Sequence, residues 1–158
     1  MLLTGFPLEF FSMKKMTKPL IVSCAGCCHG GALAEDIATT LVQQGHVDKV
    51  AIAAVAAKSP HHIAKIKQGN QLIAIDGCAL QCIKHCLKQC GIEDYHYFDI
   101  AKRLNALPQT AKQSVLQSEL QVTAQICREL APYLVTANTL ATEVENSNII
   151  ALFPCAKY

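Results

Sequence analysis

Twice in this chain a short apolar run ends at a pair of cysteines and then gives way to a helical pattern. The clearer copy is Ile73-Ala74-Ile75-Asp76-Gly77-Cys78-Ala79-Leu80-Gln81-Cys82. An apolar run closing on Asp-Gly reads as a buried strand that runs out into a tight turn. Two thiols follow, four residues apart. The earlier copy runs from Pro19 to Ser23, then Cys24-Ala25-Gly26-Cys27, then the turn Cys27-Cys28-His29-Gly30-Gly31 into a helix. Strands that alternate with helices of about ten residues build a parallel sheet. In such sheets ligands bind beyond the C-terminal strand ends, at a topological switch point. If the first and third strands are neighbours, both cysteine pairs face one crevice.

The remaining elements fit that scheme. Leu20 to Val22 reads as the first strand. From Ala32 to Gln44, Leu33, Ile37, Leu41 and Val42 recur at helical spacing, with Gly45 where a C-cap belongs. Val47 to Ala57 is apolar and uncharged after Lys49, as a strand buried on both faces would be. Ser59-Pro60 reads as an N-cap and first helical residue, opening a short helix His61 to Gln68 that ends at Gly69. Gln71 to Ile75 is the third strand, Ala79 to Gln89 the helix after it, and Tyr95 to Phe98 a fourth strand. Pro108 to Leu130 carries an apolar stripe of one long helix, broken near Pro132. Ile149 to Phe153 is a last strand or a packed tail. The reading is therefore a single-domain α/β protein with a Rossmann-like three-layer fold, a mostly parallel sheet of about four strands and a long C-terminal helix. Its parts are a leader at 1–18, an α/β domain at 19–107 and a helical extension at 108–158 packing on it. The long helix also offers a surface for a homodimer or a protein partner, although covering the sheet is the commoner use of such a helix.

Composition narrows the function. At 158 residues, 51% hydrophobic and 16% charged, the chain can bury a core without metal or disulfide help. A net charge of +2, with scattered lysines and arginines, argues against nucleic acid. No run reaches membrane-spanning length. Nine cysteines is an odd count, and the apolar leader precedes Lys14 and Lys15, the reverse of a secretion signal. The expectation is a cytoplasmic protein whose thiols are reduced or metal-bound.

Four thiolates in two pairs suit tetrahedral Zn²⁺, and soft thiolates also suit iron–sulfur clusters. Cys24 and Cys27 are close along one loop, and Cys78 and Cys82 are about one helical turn apart. Nearby helix starts favour thiolate at Cys27, Cys28 and Cys78. Cys28 is able to replace Cys27, and Cys86 stands in reserve. Cys90 lies roughly 18 Å along the helix from Cys78 and cannot share its metal. With Cys127 and Cys155 it reads as a small buried hydrophobe. His29 suits a solvent-facing turn better than a ligand role, and His61-His62 a solvated face. Asp76 suits hydrogen bonding to the turn's own amides. A phosphatase-type loop requires an arginine six residues after Cys24, where Gly30 stands. A thioredoxin-like pair at Cys24 and Cys27 leaves Cys78 and Cys82 unexplained. The Gly30-Gly31 turn could cradle a phosphate, but no Walker or dinucleotide fingerprint accompanies it.

With Cys24-x-x-Cys27 before Gly30-Gly31, and Asp76-Gly77-Cys78-x-x-x-Cys82 after a strand, the chain resembles the DGC domain family over roughly Leu20 to Gly91. The resemblance implies zinc binding through four cysteines, which fall here on Cys24, Cys27, Cys78 and Cys82, and it implies no reaction. Zn²⁺ binding is thus the leading expectation, with an iron–sulfur protein or a thiol-redox or sulfur-handling enzyme as alternatives. Whether the protein is an enzyme stays open.

Overall fold

The structure, a computed structural model, describes residues 18–24, 28–68, 70–107 and 114–134. Among these are four strands, β1 (Leu20–Ser23), β2 (Asp48–Lys49), β3 (Leu72–Asp76) and β4 (His96–Asp99). Six helices accompany them: α1 (His29–Gln43), α2 (Ile52–Ala56), α3 (Pro60–Lys67), α4 (Cys82–Gln89), α5 (Ile100–Ala106) and α6 (Val115–Leu134). All strand pairs are parallel, in the order β2-β1-β3-β4.

The strand residues alternate between two cores, as a two-faced sheet requires. Ile21, Ile73 and Ile75 point to one side, where Ala34, Ile37 and Leu41 of α1, Ile100 of α5 and Val122, Ile126 and Leu130 of α6 cover them. Leu20, Val22, Leu72 and Ala74 point to the other, against Val55 of α2, Ile66 of α3 and Ile83 and Leu87 of α4. The result is three layers. The chain leaves β1 across one face to reach β2, then returns across the other face to β3 and β4. Strand order therefore reverses between β1 and β3, which makes their outgoing ends the switch point.

Register fixes the height of that point. Ser23 pairs with Ile75 and Asp76 pairs with Asp99, and the Cys24 amide donates to the Ile75 carbonyl at 3.0 Å. Cys24 thus stands beside the last residues of β3, where the second cysteine pair begins.

Several sequence expectations need correction. The apolar run Val47 to Ala57 is not one buried strand: only Asp48–Lys49 pair, at the sheet edge, and Ile52–Ala56 form a short helix. Periodicity cannot separate helix from strand in so short a run, and four alanines among residues 51–56 favour the helix. The helix after β3 starts at Cys82 rather than Ala79, because Gln81 has φ +49° and breaks the helical path. The long helix passes through Pro132 to Leu134, so the proline sits in its last turn instead of ending it. The short helix α5 is an element that the sequence periodicity does not mark. The ends expected at Gly69, Pro108 and Ile149 to Phe153 lie outside the described residues. No helix among the described residues is long and apolar enough to cross a membrane.

Candidate metal centre

The sulfurs of Cys24, Cys78 and Cys82 lie within 4.8 Å of one another. A tetrahedral thiolate site with ~2.3 Å metal–sulfur bonds has sulfur–sulfur edges of about 3.8 Å. The three thiols therefore need only sub-ångström to ångström adjustments to share one ion, and their softness suits zinc or iron more than calcium or magnesium. Cys24 is buried, Cys78 half-buried and Cys82 exposed. Cys27 lies outside the described residues.

The Asp-Gly-Cys stretch assembles this group, each residue in its own way. Asp76 is fully buried, and its side chain points to the α4 side of the sheet. One carboxylate oxygen accepts from the Ile83 amide at 3.0 Å. The other accepts from the Lys84 amide at 3.1 Å and the Tyr97 hydroxyl at 3.1 Å. These amides are unsatisfied donors of the first turn of α4, so the carboxylate caps the helix that carries Cys82. The adjacent N-cap residue, Gln81, makes no side-chain cap bond. Asp76 is thus structural, as expected, but it bonds the amides of the helix rather than those of the turn.

Gly77 brings the two loops together. A Cβ built on it would meet the backbone of Gly30 and Gly31 at 2.3 Å. One built on Gly30 would meet the Gly77 carbonyl oxygen at 2.0 Å. Both positions must be glycine for the start of α1 to lie against the turn after β3. This is a packing role for Gly30 that its place in a possible phosphate-cradling turn did not reveal.

The remaining thiols separate cleanly. Cys28 is the N-cap of α1, its sulfur accepting from the Gly31 amide at 3.3 Å, and it is not in the group of three. Cys86 and Cys90 pack at the edge of the core beneath α4, and the Cys90 thiol donates to the Val55 carbonyl at 3.3 Å. Cys86 therefore belongs with Cys90 rather than with Cys82. Cys127 lies on α6, where burial pushes its thiol up to about 12. Cys155 lies outside the described residues.

His29 opens α1 and pairs with Glu119 of α6. His62 bonds the Ser59 hydroxyl at 3.0 Å, and His96 stacks on Tyr133 with ring centroids 3.8 Å apart.

Burial and neighbouring charge oppose a free thiolate at Cys82. Desolvation, then the neighbouring Cys24 and Cys78 and the Asp76 carboxylate, push the Cys82 thiol above its ordinary value. A helix start alone would lower it, but desolvation, reinforced by the neighbouring acidic groups, outweighs that effect. A cation bound here would take the place of the Cys82 proton.

Comparison with known proteins gives a family and one curated relative. The DGC domain family model matches residues 20–127, beyond Gly91 through β4 and α5 into α6. The Pseudomonas aeruginosa protein named anaerobic and virulence modulator AnvM is 35% identical over 69 residues. Those residues are 44% of this chain and 53% of that relative, so the match spans about half the relative's length. No solved structure matches.

Proposed function

The chain belongs to the DGC domain family, and from that premise we propose that Cys24, Cys27, Cys78 and Cys82 hold one Zn²⁺ at the switch point of the sheet. The observation that carries this reading is the convergence of three sulfurs, drawn from two separate strand ends, to within 4.8 Å. A tetrahedral site needs a fourth ligand. Cys27 is three residues beyond Cys24 in the sequence, whereas Cys28 is engaged in capping α1.

Four thiolates leave no coordination position for water, so the site is structural or regulatory rather than hydrolytic. The bound ion would tie the loop after β1 to the start of α4 and offset the repulsion among the thiolates. Its binding would release protons and add to folding stability. One relative is named a modulator, which agrees with a regulatory use of a closed site.

The test is elemental analysis and a visible spectrum of protein purified without oxygen or chelator. About one zinc per chain, no colour, loss of the metal in Cys78→Ala, and a lower melting temperature after chelation are expected. Iron with a visible band would move the protein to cluster chemistry. Metal-free protein whose thiols alkylate rapidly would support the redox alternative instead.

A further inference from the structure

Beside the thiol group, at the outgoing ends of β3 and β4, lies a cavity of about 470 Å³. Gln81, Lys84, Tyr97, Asp99, Lys102 and Arg103 line it. Its charges are not equivalent. Arg103 is held by Glu129 in a two-pronged pair at 2.7 and 2.6 Å. The carboxylate of Asp99 is occupied as the N-cap of α5, accepting from the Lys102 amide at 2.8 Å, and it also accepts from the Gln81 side chain at 3.4 Å. Lys84 and Lys102 remain. Neither ammonium is ion-paired among the described residues. Lys84 instead lies 5.5 Å from the centre of the ring of Tyr97, which also lines the cavity.

We propose that this cavity is a binding site for a small oxyanion, the carboxylate or phosphate of a metabolite-sized ligand, with Lys84 and Lys102 as its cationic contacts. Three observations converge. Parallel α/β sheets take ligands beyond their outgoing strand ends, where this cavity sits. The lining carries three cations against one carboxylate, and that carboxylate is occupied by donors of the protein itself. Two lysines on different helices, α4 and α5, line the same space, so an anion between them would be held from both sides. Tyr97 joins the cavity to the neighbouring site, since its hydroxyl bonds Asp76, the residue that caps the helix bearing Cys82. The assignment does not depend on the metal reading, because no cysteine lines the cavity.

The test is a nuclear magnetic resonance titration of the full ¹⁵N-labelled chain with inorganic phosphate, and separately with malonate, at constant ionic strength set by chloride. Saturable movement of the amides of Lys84, Tyr97 and Lys102 is expected. Binding should weaken at least about tenfold in the Lys84→Gln, Lys102→Gln double variant and largely return in the Lys84→Arg, Lys102→Arg variant. Repeating the titration on Cys78→Ala separates the two sites: the anion response should survive there even where the metal is lost. Saturation by phosphate alone identifies a phosphate ligand, and by malonate alone a carboxylate. Shifts that track chloride equally, or that persist unchanged in the glutamine variant, would overturn the proposal.

Discussion

Removing the buried carboxylate of Asp76 should loosen the helix that carries Cys82. In Asp76→Ala three donors lose their acceptor: the amides of Ile83 and Lys84 and the Tyr97 hydroxyl. The Ile83 amide bond is fully buried, so that donor bears the whole cost of an unmade hydrogen bond, about 1–3 kcal/mol. The other two bonds are only part-buried, and water can replace some of what they lose. Relief of one buried charge offsets part of the loss. The net destabilisation expected is about 3–4 kcal/mol, which for a chain of this length is a fall in melting temperature of roughly 10 °C. Asp76→Asn keeps one acceptor oxygen for the Ile83 amide and should lose about half as much. The measurement is thermal unfolding in excess chelator, so that metal binding does not mask the effect, followed by zinc affinity of the same variants. Cys82 should also alkylate faster in the alanine variant as the first turn of α4 frays. An Asp76→Ala protein melting within about 2 °C of the parent, with unchanged Cys82 reactivity, would refute the capping role.

Other consequences are more quickly stated. Gly77→Ala places a methyl group more than 1 Å inside contact distance of the Gly30 and Gly31 backbone, where no flexible side chain can yield. A loss of about 3 kcal/mol or more is expected in urea unfolding, together with weaker metal retention. Because the Cys82 thiol is held above its ordinary value, it stays protonated near neutral pH and must lose its proton to bind metal. Apparent zinc affinity should rise at least about tenfold per pH unit between pH 6 and 8, with protons released on calorimetry in buffers of different ionisation enthalpy; a pH-independent affinity would contradict this. Cys127, pushed up to about 12 by burial, should alkylate far more slowly in the folded protein than in urea. Its folded-state value lies above the unfolded one, so its ionisation lowers stability as pH rises from about 9 towards 12.

Much of this site is legible in the sequence because its geometry follows from strand ends. The apolar runs Leu20–Ser23 and Leu72–Asp76 are buried on both faces and each stops at its thiols, so adjacency of β1 and β3 was enough to bring Cys24 and Cys78 together. Gly45, expected as a helix end, has φ +76° and closes α1 with bonds from its own amide and that of His46 to Val42 and Leu41. What the sequence concealed depends on contacts between distant segments. Nothing local shows that Asp76 caps a helix starting six residues later, or that Gly77 and Gly30 touch across 47 positions. The helix α5 has seven residues, too few for a clear periodicity, and only the N-cap Asp99 signals it. The run from Val47 to Ala57 misled because uninterrupted apolar character suits a buried strand and an alanine-rich helix equally well.

The central claim is that thiols from two strand ends share one tetrahedral metal. X-ray absorption at the zinc edge of the purified, zinc-loaded chain tests it most directly. Four sulfur neighbours at about 2.3 Å in the parent protein, falling to three with an added nitrogen or oxygen in Cys27→Ala, is the predicted result. A first shell dominated by nitrogen and oxygen, or a sulfur count unaffected by removing Cys24 or Cys78, would contradict the account.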